Sequence, residues 1–312
     1  MLSRTASNLF WLARSVERMD YVARLLDVAR HMSVLASPNS LNEWHSALIA
    51  AGCETPFFEL HERSDEAAVL HFLIRDRRNP SSIMSCLVQA RNNARAVRAA
   101  LTLDVWEAIN GAYLEAREFD EETFSSDNFS TFVDWAKRQA LLFNGAYTNT
   151  LLRTENFNFL RLGTFLERAD NTARILDVKY HVLLPSFEQV GGSLDYYQWA
   201  AILRSVSARR SYHALYKGRV VPWQVVEMLI LRPEMPRSLR ACYEQVLENL
   251  DTLAQRHGGR AGEAHRLAGE MHARLRYSRI DDIFQRGLHE FLTDTIDRTV
   301  VIGGEIQKFY LG

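Results

Sequence analysis

Glu17, Asp20, Arg24, Asp27 and His31 follow one another at intervals of 3, 4, 3 and 4 residues. Glu167, Asp170, Arg174, Asp177 and His181 repeat the pattern 150 residues later. On an α-helix these intervals bring all five side chains onto one face, in a polar stripe about 80° wide over roughly four turns. Asp20–Arg24, Arg24–Asp27 and Asp27–His31 stand three or four residues apart and can pair along their own helix, as can their counterparts. Each Glu is followed directly by an arginine, Arg18 or Arg168. Adjacent helical residues point about 100° apart, so neither Glu-Arg couple can pair within itself. Arg14, one turn before Glu17, is matched by Thr164, so the two cassettes share no intrahelical cation for the Glu either. Glu17, Arg18, Glu167 and Arg168 must find their counterparts off their own helices.

Three chemistries fit such a set. The first is a structural network, with Glu17 pairing Arg168 and Glu167 pairing Arg18; buried charge pairs add little net stability but can fix register. The second is a working site. Glu17, Arg18, Glu167 and Arg168 would move protons or grip an anion, while Asp20, Arg24, Asp27, His31, Asp170, Arg174, Asp177 and His181 hold the substrate. The third is metal, because Asp27/His31 and Asp177/His181 have the i,i+4 spacing of bundle ligands. Arg24 and Arg174 inside the stripes oppose a cation, and the Glu-x-x-His pattern of ferritin-like sites is missing, so no metal is assigned.

The elements that must carry these residues are helices. Segments rich in Ala, Leu, Arg and Glu show 3.6-residue periodicity, and no strand-like alternation extends over six residues. The pattern predicts helices over 3–32, 40–52, 65–75, 81–100, 102–118, 129–150, 156–183, 193–216, 222–231, 237–256, 261–276 and 280–309, an all-α protein. Leu12, Val16, Met19, Ala23 and Leu26 form an apolar stripe beside the first polar one. Leu162, Leu166, Ala169, Ala173 and Leu176 do so beside the second.

The recurrence extends beyond the cassettes. Asn8–His31 laid over Asn158–His181 without a gap gives 11 identities in 24 positions, where unrelated segments give roughly one or two. Phe72–Asn93 lies over Met228–Asn249 with shared Leu, Ile, Pro, Ser, Cys, Gln and Asn, and Trp44 and Leu48 match Trp199 and Leu203. Conserved order and spacing predict two tandem repeats, 1–150 and 151–312, packed as one helical bundle about a pseudo-two-fold axis.

Other features exclude more than they assign. Hydrophobic residues make up 47%, charged residues 24%, and the formal net charge is −1. No global field draws the chain to nucleic acid or an anionic membrane. Cys53, Cys86 and Cys242 lack metal-site spacing and fit a reducing compartment. With no spanning run and no leader pattern, the expected location is the cytoplasm. Cys86 and Cys242 read as buried small hydrophobes, and Trp44 and Trp199 as core anchors. Arg91, Arg95 and Arg98 read as a solvated cationic edge. His45, His213 and His289 have no triad spacing, and no Gly-rich phosphate loop, GxSxG or HExxH occurs. No cofactor is called for.

"MLSRTASNLFWLARSVERMDYVARLLDV" at the start of the chain resembles the N-terminal signature of the bacterial alpha-E family, helical proteins known for a Glu-Arg motif. "NPSSI" at Asn79–Ile83, the following "ARNNARAVR", "WEAIN" at Trp106–Asn110 and "FLRLGTFLERADNTARILDV" at Phe159–Val178 extend the likeness over essentially the whole chain. The first cassette reads Met19-Asp20 where the family more often has Ala-Glu, which preserves the charge. The resemblance implies a gene neighbourhood with a circularly permuted ATP-grasp ligase, often a transglutaminase-like peptidase and sometimes a proteasome-like hydrolase. It thereby implies a peptide- or amide-bond-forming or peptide-tagging system acting on a peptide or amino-acid substrate. In that system the chain is expected to be a helical partner subunit that binds or presents substrate. The alternative is an enzyme whose paired stripes act on an amide or acyl-phosphate intermediate. By position, the family's functional residues would be Glu17, Arg18, Glu167 and Arg168.

Overall fold

Serine, threonine and aspartate at helix starts set many of the element boundaries. Asp65, Ser82, Thr102 and Ser238 each accept a bond from the backbone N–H three residues on, closing one free donor of the first turn. The computed structural model describes residues 3–33, 43–120, 122–124, 128–182 and 193–312. Among these the regular elements are all helical, with no strand. In the first half α1 (Ser3–Ser33), α2 (Glu43–Ala50), α3 (Glu54–Phe58), α4 (Glu66–Ile74), α5 (Ile83–Ala96), α6 (Leu103–Arg117) and α7 (Phe129–Thr150) follow in order. The second half has α8 (Glu155–Val182), α9 (Ser193–Ser205), α10 (Arg209–Tyr216), α11 (Pro222–Leu231), α12 (Leu239–Arg256), α13 (Glu263–Tyr277), α14 (Ile280–Arg286) and α15 (Leu288–Ile306), closed by a π-helical turn at Gln307–Leu311.

The centre is the pair α1 and α8, which make the most extensive helix contact in the molecule. Nineteen of the 31 residues of α1 are buried, more than one apolar stripe supplies, so this helix is surrounded rather than laid on a surface. Its polar stripe is therefore interior: Glu17, Asp20 and Arg24 are buried with the leucines. Phe10 meets Gly163, Arg14 meets Glu167 and the Glu17 carbonyl meets Asn171, so partners advance together and the two helices run in the same sense. Gly163 is where they come closest; a Cβ there would overlap the Phe10 carbonyl oxygen and lie 3.1 Å from the Ala13 Cβ. Around this pair, α5 and α7 pack on α1 with α6 between them, while α12 and α15 pack on α8 with α13 between them.

Three expected helices are interrupted. The one expected over 193–216 stops at Ser205, because Ser207 takes φ +59° and the Leu203 carbonyl accepts the Ala208 N–H at 2.7 Å instead of continuing the ladder. α2 ends the same way: Gly52 sits at φ +65° and the Leu48 carbonyl accepts the Cys53 N–H at 2.9 Å. Both are Schellman turns, 155 residues apart. The helix expected over 280–309 breaks at Gly287, φ +95°, and the one expected over 81–100 gives way after Ala96 to a 3-10 turn at Arg98–Ala100. The short α3 was not expected. Residues 40–42 and 183, expected at helix ends, lie outside the described residues.

Candidate functional site

Two clusters of charge occupy opposite sides of the α1–α8 pair, each built from both helices. In the first, the Glu17 carboxylate receives the Arg168 guanidinium, Nε at 3.1 Å and Nη2 on the other oxygen, and Asn144 Nδ2 from α7 at 3.1 Å. Asp20 Oδ2 accepts from Arg24 Nε at 2.8 Å and from Arg237 Nη2 at 2.7 Å. Arg237 precedes α12 and also stands 3.8 Å from Glu17. Arg24 continues outward, donating to the Ser205 carbonyl and to Ser207 Oγ at 3.3 Å. It thus caps the last turn of α9, whose carbonyl the Schellman turn leaves free.

In the second cluster, Glu167 receives Arg18 Nε at 2.7 Å on one oxygen and Arg14 Nε at 2.6 Å on the other. Arg14 threads past Gly303, where a Cβ would stand 3.4 Å from its Nη1. Asp170 Oδ2 accepts from Arg174 Nε at 2.7 Å, and Arg174 reaches Gly52 at the Schellman turn of α2. Each cluster therefore holds two carboxylates and three guanidiniums, and each long helix sends its cassette arginine towards the turn that ends a short helix of the other half.

Burial and pairing compete at these carboxyls, and the balance differs. At Glu167 burial raises the pKa, but Arg14 and Arg18 together outweigh it and hold the group down at about 2. At Asp20 burial is again opposed, by Arg24 and Arg237, and the carboxyl lies below its ordinary value. Asp170 has one guanidinium where Asp20 has two. There burial prevails over Arg174, Glu167 repels a second negative charge, and the carboxyl is raised. Oδ1 of both aspartates is buried without a hydrogen-bond partner among the described residues. Cys86 and Cys242 sit below Arg18 and Arg168, where burial pushes both thiols up to about 12 and leaves them poor nucleophiles at neutral pH.

The stripes do not converge along their whole length. Asp27 turns to Lys137 of α7 at 3.3 Å, while His31 accepts Arg204 Nη1 on Nε2 at 2.7 Å. Asp177 pairs with His289 Nδ1 at 2.7 Å; the side chain of His181 lies outside the described residues. The lower rungs are thus separate from the Glu-Arg clusters. Among the described residues no three His, Cys, Asp or Glu come together as metal ligands would. Elsewhere Trp44 and Trp199 are buried, Arg91 donates to Asn110 at 3.0 Å and stacks on Tyr113, and His45 meets Glu54 at 2.6 Å.

Arg14, Asn144 and Arg237 complete the clusters, yet matching one repeat to the other hides them. The counterparts of Arg14 and Arg237 are Thr164 and Ser81, so both stand where the repeats differ, and Asn144 lies outside the matched segments. The mismatch was itself the available signal: a buried Glu-Arg pair needs further donors, and a lone arginine beside a shared Pro-x-Ser is one.

Fold and site together define an all-helical protein whose two central parallel helices are cross-braced by reciprocal Glu-Arg pairs. The chain belongs to the Alpha-E family, described as a predicted alpha-helical domain with a conserved ER motif, whose profile matches residues 1–311. It is similar to uncharacterized protein Mb2597 of Mycobacterium bovis and uncharacterized protein MT2643 of Mycobacterium tuberculosis, 23% identical to each over 303 residues. The match covers 90% of this chain and 33% of either relative, so the chain spans about a third of their length. No solved structure matches it. No helix among the described residues is long and apolar enough to cross a membrane.

Proposed function

We propose that this chain is a non-ATP-binding helical partner subunit of a circularly permuted ATP-grasp ligase in a cytoplasmic peptide- or amide-bond-forming or tagging system, binding or presenting the peptide or amino-acid substrate. A transglutaminase-like peptidase is a further partner in this reading. The observation that carries it is the closure of both cassette glutamates. Glu17 and Glu167 each have both oxygens engaged by cations from the opposite helix, which suits a brace and ill suits a proton shuttle. The length of the relatives agrees, since there the matched unit is joined to a further two thirds of chain. In this reading 1–150 and 151–312 are duplicated units about a pseudo-two-fold axis, and the Glu-Arg couples are the contact that holds them in register.

The test is co-expression of the tagged chain with the neighbouring ATP-grasp protein. A stable complex on size exclusion, with substrate-dependent ATP hydrolysis exceeding that of the ligase alone, is expected. Separate elution and unchanged hydrolysis would refute the assignment. One observation favours the enzyme reading instead: Asp170 is the cassette carboxyl raised by burial and holding a buried, unbonded oxygen. If Asp170→Asn leaves complex and stability intact but abolishes turnover, that reading prevails.

A further inference from the structure

Away from the cassettes, a cavity of about 250 Å3 opens between the first turns of α1 and α8, the C-terminal end of α12 and the closing π-helical turn. Its walls are rings: Phe159, Phe309 and Tyr310, with Ala6 at the base. Tyr310 meets Phe159 edge-on at 5.8 Å and Phe309 at 4.7 Å, so the three rings hold one another in place. Phe309 is seated against Gly262, where a Cβ would come within 2.7 Å of the ring. Its own side is 44% exposed, so an aromatic surface faces the opening rather than the core.

The polar groups of this cavity are unequally employed. Glu155 is engaged by His257 at 3.2 Å. Arg260 has no ion-pair or hydrogen-bond partner among the described residues, although it lines the same space. The Tyr310 hydroxyl is buried with no partner among the described residues. A π-helical turn is itself an uncommon element that recurs at binding and active sites.

We propose that this cavity is a binding site for a small arylalkyl carboxylate, its ring packed among Phe159, Phe309 and Tyr310 and its carboxylate on Arg260. An aromatic pocket supplies the apolar contact, and a guanidinium fixes orientation by two parallel bonds to a planar carboxylate. The volume exceeds the roughly 150 Å3 that holds a benzene ring and leaves room for a short acidic arm. The site is independent of the Glu-Arg clusters and of any ligase.

The probe is 3-phenylpropanoate, with 3-phenylpropan-1-ol as its uncharged counterpart, titrated into the full chain by calorimetry and by ligand-observed NMR. For 11 heavy atoms at ordinary ligand efficiency the expected Kd is on the order of 1 mM. Arg260→Gln, at an exposed position, should weaken the acid at least about fivefold without changing the alcohol. Gly262→Ala should weaken both by displacing Phe309. Equal affinity of acid and alcohol for the unmodified chain overturns the carboxylate assignment. Binding that survives Gly262→Ala and Arg260→Gln together, in a variant with unchanged melting, places the ligand elsewhere and overturns the site. No saturable binding of either probe does the same.

Discussion

Glu17 and Glu167 occupy the same place in the same cassette, yet different neighbours complete them. Glu17 has Arg168 with Asn144, while Glu167 has Arg18 with Arg14. Both side chains are about 2% exposed, so removing either charge strands cations in a site that water hardly reaches. Glu17→Gln should cost ~3–5 kcal/mol in urea unfolding, a large part of a domain's stability. Arg168→Met added to it should restore part of the loss, and a strictly additive double mutant would contradict the pairing. The aspartates should respond to pH with opposite sign. Glu167 is depressed, so its stabilising share is complete above pH 4.5 and is lost as pH falls towards about 2; Asp20, depressed as well, behaves in the same direction. Asp170 is raised, so its folded form prefers the proton and loses stability as pH rises above 3.8 through its own pKa. At pH 7, Asp170→Asn should therefore leave stability unchanged or raise it, whereas Asp20→Asn should lower it by ~1.5–3 kcal/mol, the range for hydrogen bonds to charged groups. Equal losses in the two variants, measured by urea unfolding, would show that Arg174 outweighs burial at Asp170.

At the scale of helices, the α1–α8 contact depends on one missing side chain. Gly163→Ala would drive a methyl into the Phe10 backbone carbonyl, which cannot rotate away as a side chain could. The expected penalty is at or above the ~1–3 kcal/mol typical of overpacking, read as a lowered Tm, and Gly145→Ala, which meets open space, is the matched control. The elements themselves were largely legible: periodicity marks α1, α7 and α8 almost residue for residue, because a helix is a local structure. The reciprocal Glu-Arg pairing was legible as one of three alternatives, since the spacing denies each Glu an intrahelical cation. What escaped was non-local. Nothing near Ser207 announces a left-handed residue, since serine is no helix terminator by composition; the break makes sense only once Arg24, 183 residues away, is seen donating to its hydroxyl. Arg237 is illegible for the same reason, a loop arginine until the fold sets it against Asp20 on α1.

At the scale of the molecule, the two halves lean on each other where a simple tandem would not. Arg24 of the first half caps α9 of the second, and Arg174 of the second reaches the end of α2 in the first. Residues 1–150 and 151–312 expressed as separate chains should therefore assemble with each other into one species of the parent's size on gel filtration. Each alone should aggregate or remain largely unfolded, because the buried charges would lose their partners; two independently folded, non-associating halves would contradict this. The cut falls at Leu151 and the exposed Leu152, where α7 has ended and little packing is lost. The parallel course of α1 and α8 has a consequence of another kind. Antiparallel neighbours cancel their peptide dipoles, but these two add, each contributing about half an elementary charge at either end over roughly 40 Å. The helices packed on the pair run the other way: α7 sets Lys137 against Asp27 and Asn144 against Glu17, α12 sets Gln245 against Arg161, and α15 sets His289 against Asp177, so the surrounding dipoles offset those of the pair. Ala6 and Glu155, in the first turns of the two central helices, therefore share their end of the bundle with the C-terminal ends of α12 and α15, and a carboxylate entering the ring-lined cavity is oriented by Arg260 rather than by the backbone.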